Sequence, residues 1–297
     1  MPRDSRRLTQ RKVQILMGLF LAGILYAEFG FSEDYEPILR KGSPVVLAAE
    51  SVEADGFELL VRHKPLDALK EALKRIDREN RDYTCTFVKQ ERLSRGMAAE
   101  QEVQVKFRPQ PYSLMMKWTR NPGLAEQVIY VKGRWIDEDA DDPNLRDLAV
   151  ARPNKMARMI VGKSIKQPIR GFFAKRSSRR SLDEFGFKRA LDLLIKYCDL
   201  AESRGELKLE FKGETYFDGR PVWLIRRSLP YRGEGGRYPD RVADIYIDKE
   251  YQVPVAVYCF SGDERIPENL LGKYEYREVR FDVELDDAVF EPATYGM

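Results

Sequence analysis

The stretch "PYSLMMKWTR", residues 111–120, alternates Tyr112, Leu114, Met116 and Trp118 with Ser113, Met115, Lys117 and Thr119. A period of two sends successive side chains to opposite sides of a strand. One face of this strand is therefore apolar and aromatic. The face is either ordinary core or the wall of a cavity. The neighbouring segments repeat the pattern. "DYTCTFVKQERL" (82–93) sets Tyr83, Cys85 and Phe87 on one side, and "EQEVQVKFRP" (100–109) sets Val103, Val105 and Phe107 against Gln104 and Lys106. "EQVIYVKGRWIDED" (126–139) follows, and Pro109, Pro111, Pro122 and Gly123 punctuate the series. Four such strands with short turns form an antiparallel meander, in which one face packs and the other meets water.

Upstream, "KPLDALKEALKRIDREN" (64–80) is an amphipathic helix. Pro65 suits its first turn, where the missing N–H costs nothing. Leu66, Leu69, Leu73 and Ile76 share one face. Downstream, residues 156–202 mix apolar and basic residues and end in a helix expected over Leu182–Ala201, with Leu191, Leu194, Ile195 and Cys198 on one side. Five further strands follow within 206–217, 222–229, 241–250, 253–261 and 273–285. The expected architecture is α+β: a single curved antiparallel sheet of about nine strands, with helices against one face.

The N-terminus is different in kind. Arg3, Arg6, Arg7, Arg11 and Lys12 precede the uncharged run Val13–Ala27. Basic residues ahead of a short apolar run mark either a cleaved secretory signal or an uncleaved membrane anchor with its basic end in the cytoplasm. Residues 1–27 are read as that address, 28–63 as a linker and 64–297 as the folded domain, on the periplasmic side of the inner membrane.

Composition narrows the chemistry. Among 297 residues, His63 is the one histidine, and Cys85, Cys198 and Cys259 lie too far apart for a CxxC-type motif. No catalytic constellation, metal site or cofactor is expected. The formal charge of +3 against a 33% charged content supplies no electrostatic reason for nucleic-acid binding. The basic stretch Lys163, Lys166, Arg170, Lys175, Arg176, Arg179 and Arg180, broken by Phe172 and Phe173, suits anionic headgroups with aromatic rings dipping into the interface, or else a solvated loop. "YRGEGGRYPD" (231–240) reads as a flexible hairpin loop and "DEDADD" (137–142) as a solvated turn with weak calcium binding as the rival reading.

The order of elements carries a resemblance. Phe87 with Gln90, Lys106 with Pro109, Lys117-Trp118, and Gly133-Arg134-Trp135 followed by Asp137 resemble the strand signatures of the bacterial LolA/LolB lipoprotein-carrier fold. More closely, "HKPLDALKEALKRI…DYTCTFVKQERL" and "YEYREVRFDVELDDAVFEP" look like the two ends of the bacterial envelope domain of unknown function number fifteen seventy-one. The resemblance spans Pro65 to Pro292. It implies an open half-barrel with helices as a lid, enclosing an apolar cavity for acyl chains. Tyr112, Leu114, Met116, Trp118, Tyr130 and Trp135 become the cavity candidates, with Met115 and Met156 as further adaptable material. Lys117 stands where the carriers tie lid to barrel, so it becomes the lid-contact candidate. The expected function is binding of a lipid or of lipoprotein acyl chains. The rival is an anchored interaction or stress-sensor protein with a filled core and an envelope protein as partner.

Overall fold

The computed structural model describes residues 56–297. The address expected at 1–27 and most of the linker lie outside the described residues. The linker's last stretch is a helix, α1 (Gly56–His63), whose Phe57 and Val61 are buried. The folded domain therefore starts earlier than the pattern indicates, because one turn between two buried positions is too short to show a period. α2 (Pro65–Glu79) begins on its proline and ends at Asn80, whose left-handed φ of 48° lets its N–H close on the Ile76 carbonyl.

One open antiparallel sheet of twelve strands forms the half-barrel. In chain order its first wing contains β1 (Tyr83–Leu93), β2 (Gly96–Met97), β3 (Gln101–Arg108), β4 (Ser113–Arg120), β5 (Ala125–Val131), β6 (Leu148–Pro153) and β7 (Ile165–Pro168). Between β6 and β7 lies α3 (Lys155–Val161). After β7 come α4 (Phe172–Ser177) and α5 (Phe187–Glu202). The second wing is β8 (Lys208–Phe217), β9 (Arg220–Ser228), β10 (Val242–Asp248), β11 (Pro254–Phe260) and β12 (Leu270–Phe281). The spatial order is β7-β6-β5-β4-β3-β1-β12-β11-β10-β9-β8, with β2 paired to β1. The chain thus builds one wing outward, crosses the face, and builds the other wing back inward. β12 then zips onto β1, with Phe87 opposite Tyr276.

Three strands were not legible. β2 has two residues, and β6 and β7 are short and end in proline, which only edge or near-edge positions tolerate. The strand read through residue 139 ends at Val131, where Gly133 turns the chain with φ 74°.

The helices cover the concave face of the second wing. Leu66, Leu69 and Ala72 of α2 and Leu191, Leu194, Ile195 and Cys198 of α5 pack on Trp223, Ile225, Ile245 and Ile247. The helix expected from Leu182 is interrupted. Ser181 and Glu184 cap a separate 3₁₀ turn, Leu182–Glu184, and α5 starts only at Phe187. On the convex side, Met115, Ile129 and Val131 are covered by the C-terminal segment through Phe290, Val289 and Tyr295. The acidic residues of that segment are used in docking it. Asp287 pairs with Arg108 at 2.8 Å, Glu291 with Arg134 at 2.6 Å, and Asp286 caps the turn at Val289.

Candidate functional site

The concave face of the first wing is apolar and aromatic. Tyr83, Cys85 and Phe87 of β1, Val103, Val105 and Phe107 of β3, Leu114 and Met116 of β4, and Val128 and Tyr130 of β5 form one buried cluster with Tyr276 of β12. Trp118 packs against it, half-buried. The regular helices reach this cluster only through Ile76 of α2 and Phe187, the first residue of α5. The cluster is filled by Phe185 and Phe187, which flank Gly186 between the 3₁₀ turn and α5. The Phe187 ring lies 4.5 Å from Tyr276 and 4.9 Å from Tyr83, and the Phe185 ring meets Phe87 edge-on at 5.1 Å. Gly186 makes this possible in two ways. Its φ of 102° is open to glycine alone, and a Cβ there would stand 3.1 Å from Tyr83 Oη and 3.4 Å from Phe107 Cζ. A cavity lined by Tyr276, Val255, Phe217 and Tyr251 measures about 10 Å³, the room of roughly one water.

Polar tethers hold the plug and its flanks. The Tyr112 hydroxyl lies 2.6 Å from the Leu182 carbonyl and 3.1 Å from that of Phe185. Arg170 pairs with Asp183 at 2.6 Å. The most buried tether is Glu91, 2% exposed. It accepts from Tyr274 at 2.9 Å, from Ser178 at 3.0 Å and from the Arg179 N–H at 3.2 Å, with Lys89 Nζ at 3.1 Å. Arg179 also donates to the Leu271 carbonyl at 3.0 Å. Burial alone would push the Glu91 carboxyl up, but Lys89, Tyr274 and Ser178 together outweigh it and hold the group below its ordinary value of 4.5.

Two predictions follow from the tethers. Tyr112→Phe is expected to cost about 1–2 kcal/mol, because two carbonyls lose their donor. Hydrogen exchange should quicken over residues 182–186 while β10 is unchanged. The second concerns acid. A carboxyl with a lowered native pKa contributes stability above its unfolded value and loses it as pH falls through the native one. Denaturation midpoints should therefore fall with pH below 4.5, and Glu91→Gln should flatten that dependence. An equal slope in both proteins would show that Glu91 is not the group involved.

The structure brings together Tyr112, Leu114, Met116, Trp118 and Tyr130, all on the concave face. It separates the others. Trp135 follows the turn after β5, lies under the Arg134 guanidinium at 5.0 Å and packs on the convex cluster with Met115. Lys117 is exposed on the convex face, and no hydrogen bond or ion pair of its side chain occurs among the described residues, so it makes no lid contact. The alternation itself requires this, since Lys117 lies between two concave residues. The tether is supplied by Tyr112 and Glu91. Of the seven membrane-surface candidates, Phe172, Lys175 and Arg176 are exposed, while Phe173 and Arg180 are half-buried. Arg170 and Arg179 are half-buried and engaged by Asp183 and by the Leu271 carbonyl. Met156 is exposed on α3 and does not line the concave face.

The residues that the sequence did not reveal are Phe185, Phe187 and Glu91. A signal existed for Glu91: the alternation Tyr83, Cys85, Phe87 runs on to Lys89 and Glu91, an ion pair carried on an apolar face. The glycine between two phenylalanines in "EFGFKR" (184–189) was a weaker one. The three cysteines are free, and burial pushes the Cys259 thiol up to about 12, which leaves it unreactive.

No curated protein matches the sequence. Among solved structures the chain is similar to a chain of the MucA/MucB complex of Pseudomonas aeruginosa, at 10% identity and a TM-score of 0.43, covering 76% of this chain and 60% of that one. The chain thus spans about three fifths of the length of that structure. It is similar to the lipoprotein LppX of Mycobacterium tuberculosis at 10% identity and a TM-score of 0.39, covering 75% of this chain and 98% of that one. A further similarity is to a putative outer membrane lipoprotein-sorting protein domain from Vibrio parahaemolyticus, at 10% identity and a TM-score of 0.34, covering 77% and 97%. A family match extends over residues 80–295, from the strand that opens the sheet to the segment that covers its convex side, and the chain belongs to that family, described as Protein of unknown function (DUF1571).

Proposed function

We propose that the chain is a cell-envelope protein that binds a lipid, or the acyl part of a lipoprotein, on the concave face of its first wing, and that Phe185 and Phe187 occupy that place when the ligand is absent. One observation carries the reading: an aromatic sheet face is covered mainly by Phe185 and Phe187, on either side of Gly186 at the very start of α5 and held on polar tethers, where the other wing carries the length of α2 and α5. Displacing two phenylalanines costs about 1.5–3 kcal/mol each. An acyl chain that buries about fourteen methylenes gains roughly 11 kcal/mol at ~0.8 kcal/mol each, enough to offset it. Buried polar groups next to this face suit the other end of such a ligand. Tyr130 bonds Asp147, and Asp147 Oδ1, Asp183 Oδ1 and Trp118 Nε1 are buried without hydrogen-bond partners. Each such group costs about 1–3 kcal/mol while unpaired.

The filled concavity also favours a second reading, a closed scaffold whose surface docks an envelope protein. Native mass spectrometry of protein purified from membranes separates the two. The acyl-binding reading expects a co-purifying lipid mass, with higher occupancy in a Phe185→Ala, Phe187→Ala variant. A lipid-free spectrum for both proteins overturns it and leaves the scaffold reading.

A further inference from the structure

Between Asn154 and Leu182 the chain carries nine Lys and Arg and no Asp or Glu. In a chain whose two signs nearly cancel, this is a concentrated positive segment. Four of the nine are occupied or turned in: Arg158 with Glu126, Arg170 with Asp183, Arg179 at Leu271, and half-buried Arg180. The other five, Lys155, Lys163, Lys166, Lys175 and Arg176, are exposed, and among the described residues none of them forms an ion pair. The same segment holds half of the large hydrophobic side chains that are exposed among the described residues. Met156, Met159 and Ile160 are 41%, 83% and 55% exposed, and Phe172 is 63% exposed. The first three fall at i, i+3 and i+4, one face of α3. The Arg176 guanidinium sits 5.0 Å over the Phe172 ring.

An apolar helix face open to water is unfavourable for a monomer unless something covers it. Here the charge around it selects the cover. Unpaired cations in the same short segment as exposed methionine, isoleucine and phenylalanine suit a surface that offers negative headgroups above an apolar layer. We propose that α3 and the Phe172 end of α4 form a docking face for an anionic phospholipid bilayer. Met156, Met159, Ile160 and Phe172 enter the interface, and Lys155, Lys163, Lys166, Lys175 and Arg176 pair with the headgroups. Phe172 lies on the crossover that carries Phe185 and Phe187, and α3 precedes it between β6 and β7, but the face does not rest on the acyl-binding reading. A protein that binds no lipid in its half-barrel still docks this way.

The full chain also carries the apolar run at its N-terminus, so the test reads local depth, not overall binding. A solvatochromic label is placed on Met159→Cys and, in a separate protein, on Tyr216→Cys of β8, which is 62% exposed. On phosphatidylglycerol-rich vesicles the label at 159 is expected to shift to the blue and the label at 216 to stay unchanged. Pure phosphatidylcholine vesicles are expected to give little shift at either site. Each lysine changed to glutamine among Lys155, Lys163, Lys166 and Lys175 is expected to weaken the interfacial state roughly fivefold. The quadruple variant should lose the shift while keeping its denaturation midpoint, because all four side chains are exposed and unpaired. Identical responses at 159 and 216, or a shift that survives in the quadruple variant, overturns the proposal. So does a label at 159 that stays wet on vesicles and becomes buried only on adding an envelope protein fraction.

Discussion

Phe187→Ala is expected to lower the unfolding free energy by about 3–5 kcal/mol, the range for emptying a buried phenylalanine site. The ring is 1% exposed and lies within 6 Å of Tyr83, Tyr276 and Phe281, so its loss leaves a void walled by three aromatic rings. Such a loss is a large share of the roughly 5–15 kcal/mol that hold a typical domain together. Phe187 also opens α5, so the helix start loses its anchor. Phe185→Ala should cost less, since Phe185 is 8% exposed and belongs to no regular element. Chemical denaturation measures both. An apolar ligand should restore more stability to Phe187→Ala than it adds to the parent, because the ligand then fills a site already vacated. Equal stabilisation of the two proteins would place any ligand elsewhere.

The other large effect lies on the second wing. Arg227 is 2% exposed, and its Nη2 reaches both oxygens of the equally buried Asp240 at 3.0 and 2.8 Å. Its Nη1 lies 3.4 Å from the Leu194 carbonyl of α5, so one guanidinium ties β9, the 229–241 loop and the crossover helix together. Removing either partner leaves a buried charge unpaired, and Arg227→Met or Asp240→Leu alone should each cost about 3–5 kcal/mol. Replacing both removes both desolvation penalties, so the double variant should recover most of the loss. The coupling in that cycle is the quantity to measure. Additive losses would mean that the two side chains act separately.

Much of the fold was legible because period two and period 3.6 are local signals. The strands from Tyr83 to Val131 and from Lys208 to Phe281, and the packed faces of α2 and α5, follow from alternation alone. Alternation also separates Leu114, Met116 and Trp118 from Met115 and Lys117, but leaves open which of the two faces is concave. Placement across the chain was not legible. Gly133 was the one local sign that the strand stops at Val131 before Trp135, and nothing near Met115 indicates that Phe290, far along the chain, covers it. Charged residues misled in both directions. Arg170 and Arg179 read as free surface charges, yet Asp183 and the Leu271 carbonyl engage them. Asp240 sits in a segment that reads as a flexible loop, although "WLIRR" (223–227) already required one arginine of β9 to face the packed side. The plug was hidden for a similar reason. Phe185 and Phe187 lie in a helical pattern, and only the left-handed turn at Gly186 directs both of them into the sheet.

The central claim is that the face beneath Phe185 and Phe187 receives an acyl chain. Photo-crosslinking with a fatty acid that carries a diazirine in mid-chain, followed by peptide mapping, tests it most directly. The account predicts adducts on the concave residues of β1, β3, β4 and β12, among them Phe87, Val105, Met116 and Tyr276, with yield rising in Phe185→Ala, Phe187→Ala. Adducts confined to α3 and α4, or none above the level of a denatured control, would contradict it.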